Sequence, residues 1–382
     1  MKRISFFFYL LLLIGVCEAN AGSFRATVPY RNVNGKLIAR VEVNGHAGTF
    51  LIDTGAPCCV SYSFAQKLGL KVGSMQKGHD SNGQLVQAHL VVLDSLKLGN
   101  VSFLHLEAMR WEKGNMTEQF GIDGIIGYNL MKMGIVKFDS RNNLFTFTDF
   151  SKDLGVDFSR ATPLVTEAFV PHLIVNLGKQ AIDTVMFDSG AADFYEMSTQ
   201  SHERLRKSKK AVKHLASGTG ILSMGASGLE NSSLKHRLKI PRFTLAGIDF
   251  DNVTTITTDG HDSRIGSAIL AHGDVIIDYK HRTFYYLPHD VRPKRDLYTA
   301  EWDVVITVSP EGHLTAGMVW DPKLPIRSGS RILSVNGKRF EQPIDMHTAT
   351  TTALISMPGN EARISYLDTA TGQEKFITIR KR

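Results

Sequence analysis

Two short motifs contain the residues of this 382-residue chain that could perform chemistry. The first is Asp-Thr-Gly-Ala at residues 53–56, and the second is Asp-Ser-Gly-Ala at residues 188–191. Each follows an apolar run that is typical of a strand and precedes a short helix-like segment. A single aspartate before a glycine usually belongs to a turn. Two copies in the same setting indicate a pair that works together.

A pair of aspartates held close together can act as acid and base at once. Like charges a few ångströms apart do not both ionise cheaply, so one carboxyl keeps its proton. The ionised carboxylate can take a proton from water while the protonated carboxyl polarises a carbonyl group. Asp53 and Asp188 therefore predict hydrolysis of a peptide bond by water, without a metal ion or a covalent intermediate.

The residues that follow each aspartate have types that suit a precise arrangement. Gly55 and Gly190 let the backbone turn sharply and bring the two loops close together. The hydroxyl groups of Thr54 and Ser189 can donate and accept hydrogen bonds across the loops. We therefore predict that these four residues brace the two carboxyls in a common plane.

Internal similarity indicates two copies of one mostly β unit. The segment that starts at Ile126 aligns without gaps with the segment that starts at Ile265, at nearly the same offset as the two motifs. Each segment reads as a hairpin, with Asp139 or Asp278 predicted to stabilise the turn. The predicted organisation is a first repeat over residues 22–158, a second repeat over residues 159–292 and a further domain over residues 293–382.

The paired motifs resemble those of aspartic peptidases of the retropepsin-like and pepsin-like group, in their two-lobed single-chain form. Each motif is followed by an apolar element that ends in glycine, at residues 124–127 and 263–266. The resemblance covers roughly residues 25–290. It implies a mainly β fold of two pseudo-symmetric, closed β-barrel-like lobes with a cleft between them. It also implies that Asp53 and Asp188 are the catalytic pair and that the substrate is a polypeptide.

Members of this family often place a hairpin, the flap, over the cleft. Ser81, Asn82 and Gly83 are the turn of our candidate flap. Residues 217–233 occupy the equivalent place in the second repeat, and their glycines and serines suggest a second flap. Arg264 stands where the family usually has an apolar residue, so we expect a less regular loop around it.

The fourth residue of each motif leads to a prediction about pH. Ala56 and Ala191 have no hydroxyl group, whereas many acid-active relatives have serine or threonine there. The ionised aspartate then accepts fewer hydrogen bonds, and its charged form is less stabilised. We predict activity that extends towards neutral pH.

The region after a polar linker at residues 287–298 resembles a PDZ domain. Residues 329–337, Gly-Ser-Arg-Ile-Leu-Ser-Val-Asn-Gly, carry most of this resemblance, although Ser330 replaces the usual aspartate. Such domains bind an extended peptide at a sheet edge. The resemblance implies a peptide C-terminus or strand as a partner, and a module that recruits or gates the polypeptide substrate. The alternative is a catalytically inactive peptide-binding scaffold with PDZ recognition.

The N-terminus predicts export. Lys2 and Arg3 precede an apolar stretch that is too short to span a membrane, and Ala19-Asn20-Ala21 offers a cleavage site. We predict a signal peptide over residues 1–21 and a periplasmic or secreted bacterial protein with no stable transmembrane segment. Lipoprotein anchoring through Cys17 is the less favoured alternative.

The composition argues against several other classes. The formal net charge is +7, but the chain lacks nucleic-acid-binding motifs, so no nucleic-acid partner is expected. No metal site and no cofactor are predicted, because His-Glu-x-x-His and paired Cys-x-x-Cys motifs are absent. Cys58 and Cys59 are adjacent and could form only a strained bridge, so we expect them to pack as small apolar residues. A monomer is expected, since one chain contains both motifs.

Overall fold

The computed structural model describes residues 23–165, 170–208, 210–290, 296–340, 342–344, 348–349 and 357–382. Strands account for 51% of the residues and helices for 9%, which confirms the predicted mainly β class. The predicted signal peptide and Cys17 lie outside the described residues. Within the described ranges, no helix combines the length and apolarity needed to cross a bilayer.

The first repeat is built of strands in which buried and exposed side chains alternate, as β1 illustrates with Ala26, Val28 and Tyr30 on its buried face. Its helices are short: α1 (Tyr62–Lys67), α2 (Met116–Gln119) and α3 (Tyr128–Met131). Its strands are β1 (Arg25–Val33), β2 (Lys36–Val43), β3 (His46–Ile52), β4 (Cys59–Val60), β5 (Met75–His79), β6 (Leu85–Leu98), β7 (Val101–Trp111), β8 (Gly124–Ile126), β9 (Ile135–Asp139) and β10 (Leu144–Thr148).

The second repeat has one α-helix in its described residues, α4 (Thr199–Leu205). Short 3-10 helices lie at Lys152–Leu154 near the end of the first repeat, at Phe158–Arg160 across the boundary and at Ser267–Ala271 in the second repeat. Its strands are β11 (Thr162–Pro163), β12 (His172–Asn176), β13 (Ile182–Phe187), β14 (Met197–Ser198), β15 (Lys213–Gly220), β16 (Met224–Gly225), β17 (Gly228–Leu229), β18 (Ser233–Leu245), β19 (Ile248–Thr258), β20 (Ser263–Ile265), β21 (Gly273–Asp278) and β22 (Thr283–Pro288).

The C-terminal segment, residues 296–382, forms two further small sheets. The sequence pattern at residues 344–355 could form a helix, and most of this stretch lies outside the described residues. The strands of the segment are β23 (Val304–Val308), β24 (Leu314–Val319), β25 (Ile332–Val335), β26 (Lys338–Arg339), β27 (Glu361–Leu367) and β28 (Glu374–Arg380).

One sheet joins the two repeats. Strands β9 and β21 pair antiparallel, with Phe138 opposite Val275, inside a sheet in the order β11-β22-β21-β9-β10-β1-β2 and onward through the first repeat. The repeated hairpins β9–β10 and β21–β22 therefore lie side by side. Their turns are stabilised as expected, because Asp139 and Asp278 each accept a hydrogen bond from the backbone three residues later.

An apolar core runs without interruption through both repeats. Phenylalanines from each repeat meet in it, for example Phe138 and Phe187, whose ring centroids are 5.9 Å apart. The C-terminal segment has a core of its own, which includes Val304, Ile306 and Ile364. The two repeats thus share one hydrophobic interior, and this fixes the two Asp-x-Gly-Ala loops relative to each other.

Candidate active site

Both aspartates leave their strands in the same geometry. Strand β3 runs parallel to β8, and the N–H of Asp53 donates to the carbonyl of Ile126 at 3.0 Å. Strand β13 runs parallel to β20, and the N–H of Asp188 donates to the carbonyl of Ile265 at 2.9 Å. The sequence repeat therefore places the two carboxyls by the same backbone contacts.

The motif glycines are required by close approach rather than by an unusual turn. Neither Gly55 nor Gly190 has a positive φ. A Cβ atom on Gly190 would lie 2.2 Å from an Asp53 carboxyl oxygen, and one on Gly55 would lie 2.9 Å from the Asp188 carboxyl carbon. Each glycine thus faces the aspartate of the other repeat, and any side chain there would separate the loops.

The two hydroxyl residues form the predicted cross-braces. Thr54 Oγ1 donates to the carbonyl of Phe187 at 2.7 Å and accepts from the N–H of Ser189 at 3.0 Å. Ser189 Oγ donates to the carbonyl of Ile52 at 2.9 Å and accepts from the N–H of Thr54 at 3.1 Å. Both side chains are 0% exposed, so water does not compete for these bonds.

The electrostatics of the pair assign a proton to Asp53. Burial, followed by the charge of Asp188, raises the pKa of Asp53 to about 8, although the N–H of Gly55 and the charge of Lys36 oppose this increase. The Nζ of Lys36 reaches the site from the start of β2 and donates to the carbonyl of Gly190 at 2.5 Å. At neutral pH, Asp53 therefore keeps its proton.

Backbone N–H groups donate hydrogen bonds to both carboxyls. Its Oδ1 accepts from the N–H of Gly190 at 2.9 Å and from the N–H of Ala191 at 3.1 Å. Asp53 Oδ1 accepts from the N–H of Gly55 at 2.9 Å. Each carboxyl is thus oriented by N–H groups of its own loop.

The two cysteines pack behind the first motif as expected. Both are buried reduced thiols. The Sγ of Cys58 accepts a hydrogen bond from the N–H of Gly127 at 3.2 Å. Burial raises the pKa of the Cys59 thiol, which therefore stays neutral. Their position supports the loop and does not offer a nucleophile.

The candidate flap forms a turn between β5 and β6, and Gly83 has the positive φ that such a turn favours. We call residues 80–85 the flap loop. It contacts residues 222–230, here called the second hairpin, which contain β16 and β17. Ser223 Oγ donates to Asn82 Oδ1 at 2.8 Å, and the N–H of Ser227 donates to Asp80 Oδ2 at 3.1 Å. Asn82 is only 7% exposed.

Further contacts carry the second hairpin across to the first repeat. Gln84 Nε2 donates to the carbonyl of Leu229 at 2.9 Å, and Ser227 Oγ donates to the carbonyl of Leu85 at 3.1 Å. Ala226, at the hairpin tip, packs against an apolar cluster of the first repeat that includes Trp111. The two expected flap segments therefore bind each other.

A buried charge cluster at the base of the second hairpin was not found from the sequence. Lys235, 1% exposed, donates to Glu230 Oε2 and to Asp259 Oδ2, both at 2.8 Å. Glu230 Oε1 accepts from the N–H groups of Leu222 and Ser223. A lysine in a polar strand gives no sequence signal of burial, because its carboxylate partners come from two other segments.

The loop around Arg264 is as regular as its counterpart, contrary to the expectation from the sequence. The N–H of Ser267 donates to the carbonyl of Ala191 at 2.8 Å, just as the N–H of Tyr128 donates to the carbonyl of Ala56 at 2.9 Å. The loop keeps its regular backbone because Glu196 forms an ion pair with Arg264 and neutralises its charge.

Comparisons with known proteins gave one family match, which lies in the first repeat. A family model described as aspartyl protease matches residues 39–130, about a quarter of the chain. A solved structure, a retropepsin-like aspartic protease from Rickettsia conorii, is 18% identical, with a TM-score of 0.25 over 35% of this chain and 96% of that one. The comparison with curated proteins gave no match. The family match thus supports an aspartic protease and covers the part of the first repeat that contains Asp53.

Proposed function

We propose that this chain is an aspartic endopeptidase whose catalytic pair is Asp53 and Asp188. The observation that carries the proposal is the reciprocal hydrogen bonding between Thr54 and Ser189, which holds the two carboxyls face to face. Two aspartates with separate roles in turns would not need such a network. The raised pKa of Asp53, about 8, supports a shared proton.

The reaction follows from these charge states. Asp188 takes a proton from a water molecule held between the carboxyls, and the water oxygen attacks the peptide carbonyl carbon. Asp53 donates a proton to the carbonyl oxygen, which gives a neutral tetrahedral diol. Collapse of the diol passes a proton from Asp188 to the departing nitrogen, and Asp53 recovers its proton from the other hydroxyl. The C–N bond breaks and both carboxyls return to their starting states.

The substrate is a polypeptide in extended conformation between the two repeats. The flap loop and the second hairpin must part to admit it, because they are hydrogen-bonded to each other. The PDZ-like C-terminal segment, which has its own core, would recruit or gate this substrate. We place the protein outside the cytoplasm, in the periplasm or beyond, after removal of residues 1–21.

A peptide mixture tests this function. The chain from residue 22 is incubated with peptides from denatured proteins between pH 4 and 8 in water enriched in oxygen-18, and the products are read by mass spectrometry. We expect internal cuts with one oxygen-18 in each new carboxyl terminus and activity that extends towards neutral pH. Asp139→Asn is the control variant and should cut the same peptides as the parent, since Asp139 occupies a turn outside the site. Absence of cuts from the folded protein would favour a catalytically silent peptide-binding scaffold.

A further inference from the structure

The tip of the β1–β2 hairpin docks against the second Asp-x-Gly-Ala loop. A Cβ atom on Gly35 would lie 2.5 Å from the Cβ of Ala192, so the backbone of the tip lies directly on the residue after the motif. Ser267 Oγ donates to the carbonyl of Gly35 at 2.5 Å. Packing and a hydrogen bond therefore attach this hairpin of the first repeat to the second repeat without any contribution from Lys36.

Lys36 adds a contact of a different kind. Its Nζ donates to the carbonyl of Gly190 at 2.5 Å. A hydrogen bond from an ammonium group is about twice as strong as one between neutral groups. The carbonyl belongs to the peptide unit that joins Gly190 to Ala191, and the N–H of the same unit donates to Asp188 Oδ1 at 3.1 Å. One planar peptide unit thus connects the ammonium group to the carboxyl.

This peptide unit lies between the two carboxyls. Gly190 approaches Asp53 so closely that a Cβ atom would lie 2.2 Å from a carboxyl oxygen. On the other side, the N–H groups of Gly190 and Ala191 both donate to Asp188 Oδ1. Because the unit is planar, a donor that holds its carbonyl also fixes the direction of its N–H. A hydrogen bond to the carbonyl also polarises the unit and strengthens the bond that its N–H donates.

We propose that Lys36 is a positioning residue that holds the Gly190–Ala191 peptide unit in the orientation in which Asp188 faces Asp53. A side chain of the first repeat thus sets the geometry of the second motif, in addition to the bonds made by Thr54 and Ser189. The effect of Lys36 on the rate rests on the proposed function. Its effect on the peptide unit can be measured without any activity.

Four proteins separate the ammonium group from the bulk of the side chain. K36M removes the charge and keeps an unbranched chain. In K36C, 2-bromoethylamine alkylates the sulfur with loss of bromide and restores an ammonium group at nearly the length of lysine. Iodoethane on K36C, with loss of iodide, gives the same chain without the ammonium group. K179M, which removes an exposed lysine in the turn between β12 and β13, is the matched control.

Two checks come before the measurements. Mass spectrometry establishes that each K36C sample has one added group, which is expected because Lys36 is half-buried whereas Cys58 and Cys59 are buried. Thermal unfolding establishes that each protein is folded. If K36M does not fold, the two alkylated forms of K36C decide the question, because they differ only in the ammonium group.

The rate should depend on the ammonium group. At the plateau of each pH–rate profile, we expect kcat of K36M to be at least about tenfold below that of the parent, with KM within about twofold. Comparison at the plateau excludes the shift of a pH limb as the cause. Aminoethylated K36C should recover most of the parent kcat, and ethylated K36C should be as slow as K36M. K179M should match the parent.

Nuclear magnetic resonance observes the peptide unit itself. Carbon-13 in glycine carbonyls and nitrogen-15 in alanine select the three Gly-Ala units of the chain, which contain Ala56, Ala191 and Ala226. A56S and A226S each remove one signal and so identify all three. In K36M the Ala191 signal should move and its amide should exchange about tenfold faster or more, while the Ala226 signal stays in place. Aminoethylated K36C should restore both parent values.

Equal plateau kcat in the two alkylated forms of K36C would overturn the proposed role of Lys36. A parent that cleaves no peptide would instead refute the proposed function alone. The role of Lys36 is then decided by the Ala191 signal and its amide exchange. If both are the same in the parent and in K36M, Lys36 does not position the peptide unit. If both change in K36M and return on aminoethylation of K36C, the positioning role is supported.

Discussion

At the scale of single residues, the proton on Asp53 links stability to activity. The unfolded chain releases this proton near pH 4, whereas burial and Asp188 raise the pKa of the folded group to about 8. Between these values the folded state binds one more proton than the unfolded state, so its stability falls as pH rises. The raised pKa of Asp53 therefore lowers the free energy of unfolding at neutral pH.

Replacing Asp53 by asparagine should therefore stabilise the protein while it abolishes cleavage. Asparagine has the shape of the protonated acid and does not ionise. At pH 7 we expect the free energy of unfolding to rise by about 2 kcal/mol or more, and at pH 4 by much less. Thermal or urea unfolding at the two pH values measures this. An equal effect at both would show that Asp53 does not hold its proton in the folded protein.

The same proton should set the alkaline limit of activity. Asp53 must be protonated to act as the acid, so kcat/KM should fall as pH rises through about 8. The charge of Lys36 lowers the pKa of Asp53, so Lys36→Met should move this falling limb to higher pH. A pH–rate profile of parent and variant provides the measurement. A limb that stays in place or moves down would contradict the assignment of the acid.

The sequence predicts the four bracing residues because their types and spacing repeat. It does not predict Lys36, which belongs to a hairpin far from either motif. Lys36 reaches the site because the tip of β1–β2 packs against the second repeat, where a Cβ on Gly35 would lie 2.5 Å from Ala192 Cβ. That contact depends on how the repeats associate, and no local pattern encodes it.

At the scale of elements, hydrogen bonds join the flap loop to the second hairpin, and we expect the two to open together. The Asn-Gly turn predicts the flap loop, and the glycine and serine content predicts a mobile second segment. The hydrogen bonds between them join residues more than 140 positions apart, such as Ser223 and Asn82. The sequence does not predict these hydrogen bonds, because the flap loop and the second hairpin meet only after both repeats have folded.

Locking this closure should stop cleavage of polypeptides. In N82C/S223C, which replaces two residues whose side chains are hydrogen-bonded, the two cysteines can be oxidised to a disulfide or alkylated by a short bis-maleimide. We expect kcat/KM to fall at least about tenfold in the crosslinked protein and to recover after reduction of the disulfide. Each single-cysteine variant, treated identically, is the control. Full activity in a protein shown by mass spectrometry to be crosslinked would mean that substrate enters by another route.

At the scale of the whole molecule, the C-terminal segment is attached to the strand that leads into the second hairpin. The N–H of Ile221 donates to the carbonyl of Gly317 at 2.8 Å, and a Cβ on Gly220 would lie 2.1 Å from that oxygen. Arg237 Nη1 donates to the carbonyl of Arg382 at 2.7 Å. The repeat pattern predicts the two pseudo-symmetric Asp-x-Gly-Ala loops, but not this attachment, because Gly317 and Arg382 lie outside both repeats.

Breaking the attachment should loosen the second hairpin. Gly220→Val would push β15 away from β24, and amide exchange at residues 222–230 should become faster by about tenfold or more. Gly78→Val is the matched control, since a Cβ added to that strand glycine meets no atom within 4 Å. Exchange that is equally slow in both variants would show that the C-terminal segment does not restrain the hairpin.

In the proposed reaction, one aspartate from each repeat acts on the same peptide bond. The most direct measurement compares kcat/KM of the parent, D53N and D188N on one identified peptide near pH 6, with folding verified by thermal unfolding. We predict that each variant loses activity by about a thousandfold or more, because neither carboxyl can replace the other. Substantial activity in either variant would contradict a catalytic pair built from both repeats.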